Sequence, residues 1–240
     1  MSNILALILI VLVATTLQAG TGFGFAIMAI PFLVLLFPAH DAILLNIILS
    51  IIVTILVTYK IYNEVDKELL KRLIKGSLFG LLPGLMVFVY LDVKFLKIFV
   101  SILILISTAL LMTKVKVEQS NTKEYIVGAL SGFLTCSIGM PGPPLMIYFT
   151  GTKIDKAILR STTMAYFIFN CSVSFILQLF TYSITKTVWH ATLWSIPFIF
   201  LGIFLGEKLF KKLDQTLFFR VIYWLLLLTG VYLFFSTIMG

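Results

Sequence analysis

Two long apolar stretches of the chain are interrupted by glycine, at Gly20-Thr21-Gly22-Phe23-Gly24 and at Ile138-Gly139-Met140-Pro141-Gly142-Pro143-Pro144. Glycine adopts backbone conformations that end a helix, and proline cannot continue one. As a single helix the segment 4–37 would be about 50 Å long, whereas the hydrocarbon core of a bilayer is about 30 Å thick. The sequence therefore predicts broken helices that bend or fold back inside a membrane.

The composition places the rest of the chain in the membrane too. Of its 240 residues 60% are hydrophobic and 12% are charged. The ranges 1–40, 125–152, 161–185 and 221–240 carry no charge, and a spanning helix needs about 20 apolar residues. The connections are too short for a separate catalytic or nucleotide-binding domain. We expect one all-α polytopic membrane domain.

The net charge of +8 does not indicate a nucleic-acid partner. Lysine and arginine cluster between the apolar spans, where they set the orientation of a membrane protein. Cys136 and Cys171 both lie inside apolar stretches, which argues against a disulfide framework or a zinc site. We expect the lipid bilayer as a partner, no metal and no cofactor. The sequence does not define the oligomeric state.

The two halves of the chain match each other. Gly22 aligns with Gly139, and Gly80 and Gly84 align with Gly202 and Gly206. We interpret 1–117 as a first membrane repeat and 118–240 as a second. Each repeat begins with a glycine-broken hairpin, 4–37 or 125–150, and continues with three transmembrane helices. These helices are predicted at 42–59, 76–91 and 98–113, and at 161–181, 190–207 and 218–237.

The basic residues distinguish between two topologies, because cytoplasmic loops are enriched in lysine and arginine. If the chain crossed the membrane eight times, nine basic residues would lie on each side. If each broken segment returns to its starting side, fifteen lie on one side and three on the other. This asymmetry favours hairpins, places both termini outside the plasma (inner) membrane and makes the two repeats inverted.

Local spacing supports two further predictions. Glycines four residues apart allow helices to approach closely, so Gly76, Gly80 and Gly84, and also Gly202 and Gly206, predict close helix contacts. The charged run 63–75 predicts a short, solvated cytoplasmic helix.

Inverted repeats bring two breaks to a similar depth, where secondary transporters bind substrate. Backbone N–H groups and the positive ends of short helices would attract a small anion there. Small polar side chains near the breaks add hydrogen-bonding groups, namely Thr15, Thr16 and Gln18 in the first half. The candidate substrate-binding residues at the breaks are Thr21, Gly22, Gly24, Thr135, Cys136, Ser137, Gly139 and Gly142.

Three more residues are candidates because polar groups are rare in apolar spans. Arg160 precedes the span 161–181 and would either lead anions inward or anchor the helix at the cytoplasmic surface. Asn46 and Asn170 lie within spans and would either join helices or line a cavity. No carboxylate lies in the middle of a predicted span, so we expect no carboxylate proton relay.

Four motifs resemble the sulfite exporter TauE/SafE family of membrane permeases over nearly the whole chain. They are Gly20-Thr21-Gly22-Phe23-Gly24-Phe25 followed by Pro31, Asn46 with Val65-Asp66, Ser137-Ile138-Gly139-Met140-Pro141-Gly142-Pro143-Pro144, and Arg160 ten residues before Asn170. The resemblance implies two inverted four-element repeats and transport of sulfite, sulfonates or other sulfur-containing organic anions, commonly outward. It also implies that the breaks form the substrate region, with Arg160 and Asn170 beside it.

These observations predict a secondary transporter that exports a small sulfur-containing anion by alternating access, and not an enzyme. One alternative is a membrane subunit of a larger transport assembly, with the loop 60–75 as its docking site. The other is an intramembrane enzyme that uses Cys136. The sequence has neither a His-Glu-x-x-His motif nor a Gly-x-Ser-Gly-like nucleophile motif, which disfavours the enzyme.

The hairpin topology makes a direct prediction. A cysteine or tag at position 68 is expected to be cytoplasmic, and one at position 240 is expected to be external. Modification by a membrane-impermeant reagent, in intact and in permeabilised cells, measures the side of each. Both positions on one side would contradict the hairpin topology.

Overall fold

The computed structural model of the chain describes residues 2–91, 119–152 and 154–212, together with Phe95, Ile98, Ile102 and Ile106. Throughout this part of the chain the regular secondary structure is helical. In chain order the α-helices are α1 (Ser2–Thr21), α2 (Phe25–Leu36), α3 (Ala39–Ile61), α4 (Lys67–Tyr90), α5 (Asn121–Ile138), α6 (Gly142–Gly151), α7 (Lys156–Leu179) and α8 (Lys186–Lys212). A 3₁₀ turn at Tyr62–Glu64 lies between α3 and α4.

Five of these helices, α1, α3, α4, α7 and α8, are long and apolar enough to cross a membrane. The prediction of an all-α, multi-pass membrane protein is therefore confirmed. The predicted spans 98–113 and 218–237 lie outside the described residues, except for Ile98, Ile102 and Ile106, which are helical.

Each predicted break joins a long helix to a short one. Gly22 and Gly24, with φ of 84° and 104°, separate α1 from α2, and Gly139, with φ of 72°, ends α5. Only glycine adopts this left-handed conformation without a steric cost. The short helices α2 and α6 have 12 and 10 residues. At about 1.5 Å per residue they reach roughly half of the way through the hydrocarbon.

The helices pack in pairs that join the two halves of the chain. The most extensive contacts are those of α4 with α5 and of α1 with α8, followed by α3 with α7. In addition, α4 contacts α7 and α3 contacts α8. If α1 to α4 correspond to α5 to α8, each of these contacts has its counterpart in the other half. The contact of α2 with α3, by contrast, has no counterpart of similar extent between α6 and α7 among the described residues.

The glycine stripes bring the paired helices together. A Cβ atom at Gly80 would lie 1.9 Å from the carbonyl oxygen of Ala129 in α5, and one at Gly206 would lie 2.5 Å from that of Thr16 in α1. Neither distance leaves room for a methyl group. The predicted close helix contacts are confirmed at all five positions, Gly76, Gly80, Gly84, Gly202 and Gly206.

The prediction of a separate short helix in the run 63–75 is wrong. Helix α4 begins at Lys67 and continues to Tyr90, so the part of this run from Lys67 to Lys75 forms the first turns of a spanning helix. The carboxylate of Asp66 accepts hydrogen bonds from the backbone N–H groups of Glu68 and Leu69. A capping side chain therefore sets the helix start, well before the apolar pattern begins. Helices α7 and α8 likewise begin before their predicted starts.

Replacing Gly80 with alanine is expected to destabilise the protein, because the added methyl group meets the backbone of α5. Alanine favours a helix by about 1 kcal/mol over glycine, whereas overpacking costs about 1–3 kcal/mol. We expect a lower Tm in detergent. Leu82, 63% exposed on the same helix, provides the control: Leu82→Ala is expected to change the Tm less. An unchanged or raised Tm for Gly80→Ala would contradict the close crossing.

Candidate functional site

A narrow cavity lies where the two breaks meet. It is lined by both breaks and by α1, α3 and α7, through Gln18, Gly24, Phe25, Ala26, Ile27, Ser50, Pro141, Gly142 and Phe167. The breaks are in contact, because a Cβ atom at Gly142 would lie 3.1 Å from Cδ1 of Ile27. The space holds about one water molecule. Segments from opposite halves of the chain thus share one small cavity.

The cavity faces the start of α2, where backbone N–H groups lack partners within the helix. The first N–H groups of an α-helix have no preceding carbonyl to which they can donate. No side chain caps α2, and Gly24, Phe25, Ala26 and Ile27 all line the cavity. Helix α2 therefore presents N–H donors and the positive end of its dipole to this space.

The start of α6 contributes fewer donors. No side chain caps it either, but Pro141, Pro143 and Pro144 have no N–H group. At the start of α6, Gly142 is therefore the residue that both lines the cavity and carries an N–H group. The sequence predicts the same role for both breaks, whereas in the structure the first break supplies most of the backbone N–H donors at the cavity.

Aromatic rings close around the first break. The ring of Phe23 lies 6.1 Å from that of Phe149 in α6 and 6.4 Å from that of Phe167 in α7, measured between centroids. Phe167 also lines the cavity. Phe149 and Phe167 were missed in the sequence because isolated phenylalanines in apolar helices carry no distinguishing signal.

Arg160 lies against the first break. A Cβ atom at Gly22 would lie 2.9 Å from Cα of Arg160, and the guanidinium Nη2 donates to the carbonyl of Ala19 near the end of α1. The residue is only 8% exposed and interacts electrostatically with Glu207 and Glu64. Such burial does not fit a solvated surface anchor. A contact of Arg160 with an anion remains a prediction.

The second break makes the corresponding contact with α3. A Cβ atom at Gly139 would lie 3.5 Å from Cγ2 of Ile43 and 3.0 Å from Nδ2 of Asn46. The offset of 117 residues that aligns Gly22 with Gly139 also aligns Ile43 with Arg160. Each break therefore packs against the first turns of the third helix of the other half.

Three buried amide side chains cover the carboxyl end of α5. Nδ2 of Asn46 donates to the carbonyl of Gly139 at 2.8 Å. Nδ2 of Asn170 donates to Oγ1 of Thr135 at 2.5 Å, and Nε2 of Gln178 donates to the carbonyl of Cys136 at 2.8 Å. Asn46 and Gln178 thus replace hydrogen bonds that a further helical turn would make, and Asn170 bonds a side chain of the same helix end. Gln178 was missed because nothing in its local sequence indicates a partner in α5.

Most candidate hydroxyl groups donate to the backbone of their own helix. Thr21 donates to Leu17, Thr135 to Ser131 and Ser137 to Phe133, in each case to the carbonyl four residues earlier. Thr16 does the same with Leu12. Thr21, Thr135, Cys136 and Ser137 are not among the described residues that line the cavity. In this conformation these hydroxyl protons are not directed at an anion.

Cys136 contacts a neighbouring helix. A Cβ atom at Gly84 in α4 would lie 3.0 Å from the Cβ atom of Cys136. Its side chain is buried and interacts with that of Ser174. These contacts support a packing role for the thiol.

A buried ion pair joins α4 to α5. Arg72 Nε donates to Glu124, whose side chain is 1% exposed. Tyr148 from α6 donates to the same carboxylate at 3.1 Å. Glu124 was not predicted from the sequence, because its position at the edge of an apolar span resembles that of a solvated residue.

A second polar cluster joins the start of α3 to the segment between α7 and α8. Tyr182 and Thr185 donate to the carboxylate of Asp41 at 3.2 and 3.0 Å, and the ring of His40 stacks on that of Tyr182. Burial, together with the Asp41 carboxylate, raises the pKa of Tyr182 above its ordinary value. The phenol therefore stays protonated and donates at neutral pH. In the described residues no group of three or more His, Cys, Asp or Glu forms a metal site.

The two glycines of the second break are expected to respond differently to alanine. Gly139→Ala forces a side chain into the left-handed region, at a cost of about 1–2 kcal/mol. Gly142 has no positive φ, and its added methyl group would meet the flexible end of Ile27. Thermal unfolding in detergent should therefore show a larger loss of Tm for Gly139→Ala than for Gly142→Ala. Equal losses of Tm for the two variants would contradict the idea that the break depends on the left-handed backbone conformation of Gly139.

Comparison with protein families matches residues 7–233 to the family described as Sulfite exporter TauE/SafE. No curated protein and no solved structure matches the chain. The matched range includes both breaks, Arg160 and the three amide side chains. The chain therefore belongs to the sulfite exporter TauE/SafE family of membrane transporters.

Proposed function

We propose that the chain is a secondary transporter that carries sulfite, a sulfonate or another small sulfur-containing organic anion across the plasma membrane by alternating access around the two breaks. The observation that carries this proposal is the uncapped start of α2, which faces a cavity shared with the second break. Family membership supports transport of a sulfur compound.

The chemistry of the cavity suits an anion. Backbone N–H groups donate but do not accept, and the positive end of a helix dipole favours negative charge. No carboxylate is among the described residues that line the cavity. A sulfur oxyanion presents several acceptor oxygens, which a group of neighbouring N–H donors at the start of α2 can bind together. Arg160, behind the first break, adds a positive charge near this region.

The small size of the cavity supports alternating access. A space for about one water molecule cannot hold a sulfur oxyanion, so the breaks must separate before substrate enters. Phe149 and Phe167 both lie against Phe23 at the first break, and these three rings are the groups that must move. We assign this conformation to a closed state between the two open ones.

The proposed orientation has both termini outside and the two repeats, 1–117 and 118–240, inverted. The paired contacts of α4 with α5 and of α1 with α8 support two related halves. Export is the proposed direction of transport, because the inside-negative membrane potential favours the exit of an anion by about 2.3 kcal/mol per charge per 100 mV.

Proteoliposomes containing the purified protein test the proposal directly. Counterflow is measured with sulfite, sulfate, thiosulfate, taurine, sulfoacetate and a dicarboxylate without sulfur. Exchange of at least one sulfur anion, and none of the dicarboxylate, is the expected result. Failure of all sulfur anions under imposed voltage and pH gradients would refute the carrier. It would favour a subunit of a larger assembly or an enzyme that uses Cys136.

Arg160 is expected to act through its charge. Arg160→Gln should lower counterflow of the transported anion about tenfold or more, because a hydrogen bond to a charged group contributes about 1.5–3 kcal/mol. Arg160→Lys should retain part of the activity. Lys67→Gln, which removes an exposed charge at the start of α4, is the control and should leave counterflow unchanged. Full activity of Arg160→Gln would remove Arg160 from the site.

A further inference from the structure

The carboxyl ends of α1 and α5, the two long helices that precede the breaks, are covered differently. A permanent cation, the guanidinium of Arg160, donates to Ala19 near the end of α1. The residue that aligns with Arg160 in the first half is Ile43, which lies beside Gly139 but carries no charge. The end of α5 is covered instead by the neutral amides of Asn46, Asn170 and Gln178.

The partners of these amides fix the direction of each amide group. A backbone carbonyl only accepts, so Asn46 and Gln178 must turn their NH₂ groups toward Gly139 and Cys136. Thr135 gives its hydroxyl proton to the carbonyl of Ser131 and therefore accepts from Asn170. In all three amides the oxygen is therefore the atom that makes no hydrogen bond to the helix end.

The amide oxygens are buried and have no hydrogen-bond partner among the described residues. Asn46 and Asn170 are both 0% exposed, as is Gln178. The oxygen and nitrogen of an amide are about 2.3 Å apart, so Oδ1 of Asn46 lies within about 5 Å of the Gly139 carbonyl. Asn170 Oδ1 lies within about 5 Å of Thr135 Oγ1 by the same geometry. A buried acceptor without a donor is costly, and a cation would relieve that cost.

We propose that Na⁺ binds at the carboxyl end of α5, between Oδ1 of Asn46 and Oδ1 of Asn170. Carbonyl groups at the break complete its coordination. The bound ion takes the position at this helix end that the guanidinium of Arg160 takes at the end of α1. The negative end of the α5 dipole favours positive charge there.

The donor atoms determine the class of ion. Amide and carbonyl oxygens are hard, neutral ligands, which suit an alkali cation. Calcium and magnesium sites generally include carboxylates, and this one has none among its described groups. None of the proposed ligands titrates near neutral pH, so a proton would not be held in its place.

Bound Na⁺ would also favour binding of the anion, an extension that rests on the proposed function. Gly139 and Gly142 belong to the same break, so the cation would lie close to the anion cavity. Opposite charges bound near each other in a low-dielectric region stabilise each other. Na⁺ is therefore expected to increase the affinity for the anion about fivefold or more, and the anion to increase the affinity for Na⁺ equally.

Binding of Na⁺ is tested first, without any anion substrate. The purified full-length protein is unfolded thermally in NaCl, KCl and choline chloride at equal ionic strength. We expect Tm to rise by several degrees, and saturably, in NaCl relative to choline chloride. Asn46→Ala and Asn170→Ala should abolish that rise. Thr58→Val removes another buried, unpartnered hydroxyl oxygen of α3, three turns from Asn46, and should keep it.

The outcomes are separable. An equal Tm in all three salts would overturn the proposal even if neither asparagine variant folds, because the unmodified protein decides that comparison. A Na⁺ effect that survives both substitutions would place the ion elsewhere and overturn it too. Sulfite counterflow with and without Na⁺ then tests the coupling. Counterflow that is independent of Na⁺ would refute the coupling while leaving the carrier intact, and Na⁺ binding without any counterflow would refute only the carrier.

Discussion

The structure depends on one constraint, which is that backbone N–H and C=O groups exposed by a helix break must find partners where lipid offers none. Each such group left without a partner in a bilayer costs several kcal/mol. Two helices of this chain are broken, and the backbone groups on the two sides of each break have different surroundings. The carboxyl ends of α1 and α5 are covered by side chains from α3 and α7, whereas the starts of α2 and α6 face a cavity. Donors are thereby left for a ligand, and acceptors are mostly satisfied.

The same arrangement interlocks the halves of the chain. The break of the first half rests on α7, and the break of the second half rests on α3. Close glycine crossings join α4 to α5 and α1 to α8 without intervening side chains. Backbones packed this closely transmit movement as rigid bodies. By contrast, α2 and α6 contact each other only sparsely, so we expect the opening of the cavity to separate these two short helices while the glycine-packed pairs stay together.

The sequence predicts the structural features that depend on the local chemistry of the chain. Glycines and prolines mark both breaks, glycine spacing marks the close crossings, and the charge-free ranges mark the membrane spans. The motifs around Gly22 and Gly139 also lead to the correct family. The start predicted for the helix over 76–91 is wrong, because the Asp66 cap, and not hydropathy, sets the start of α4.

The missed residues share a different feature, since their roles depend on partners distant in the sequence. Gln178 bonds Cys136, Glu124 pairs with Arg72, and Phe167 meets Phe23. No pattern along the chain reveals such pairs. The unequal supply of donors from the two breaks follows from the prolines of the second, but it becomes visible only once the start of α6 is seen at the cavity.

Accessibility of the cavity from both sides of the membrane tests the alternating-access mechanism most directly. Ser50 lines the cavity and is close in size to cysteine, so Ser50→Cys introduces a reporter there. The unmodified chain, in which Cys136 and Cys171 are buried, gives the background. An impermeant thiol reagent is applied from either side, with and without a transported sulfonate, which does not react with the reagent. We expect modification from each side in turn and protection by the sulfonate. Modification from neither side, or from one side only and unaffected by the sulfonate, would contradict a substrate cavity that opens alternately at the two breaks.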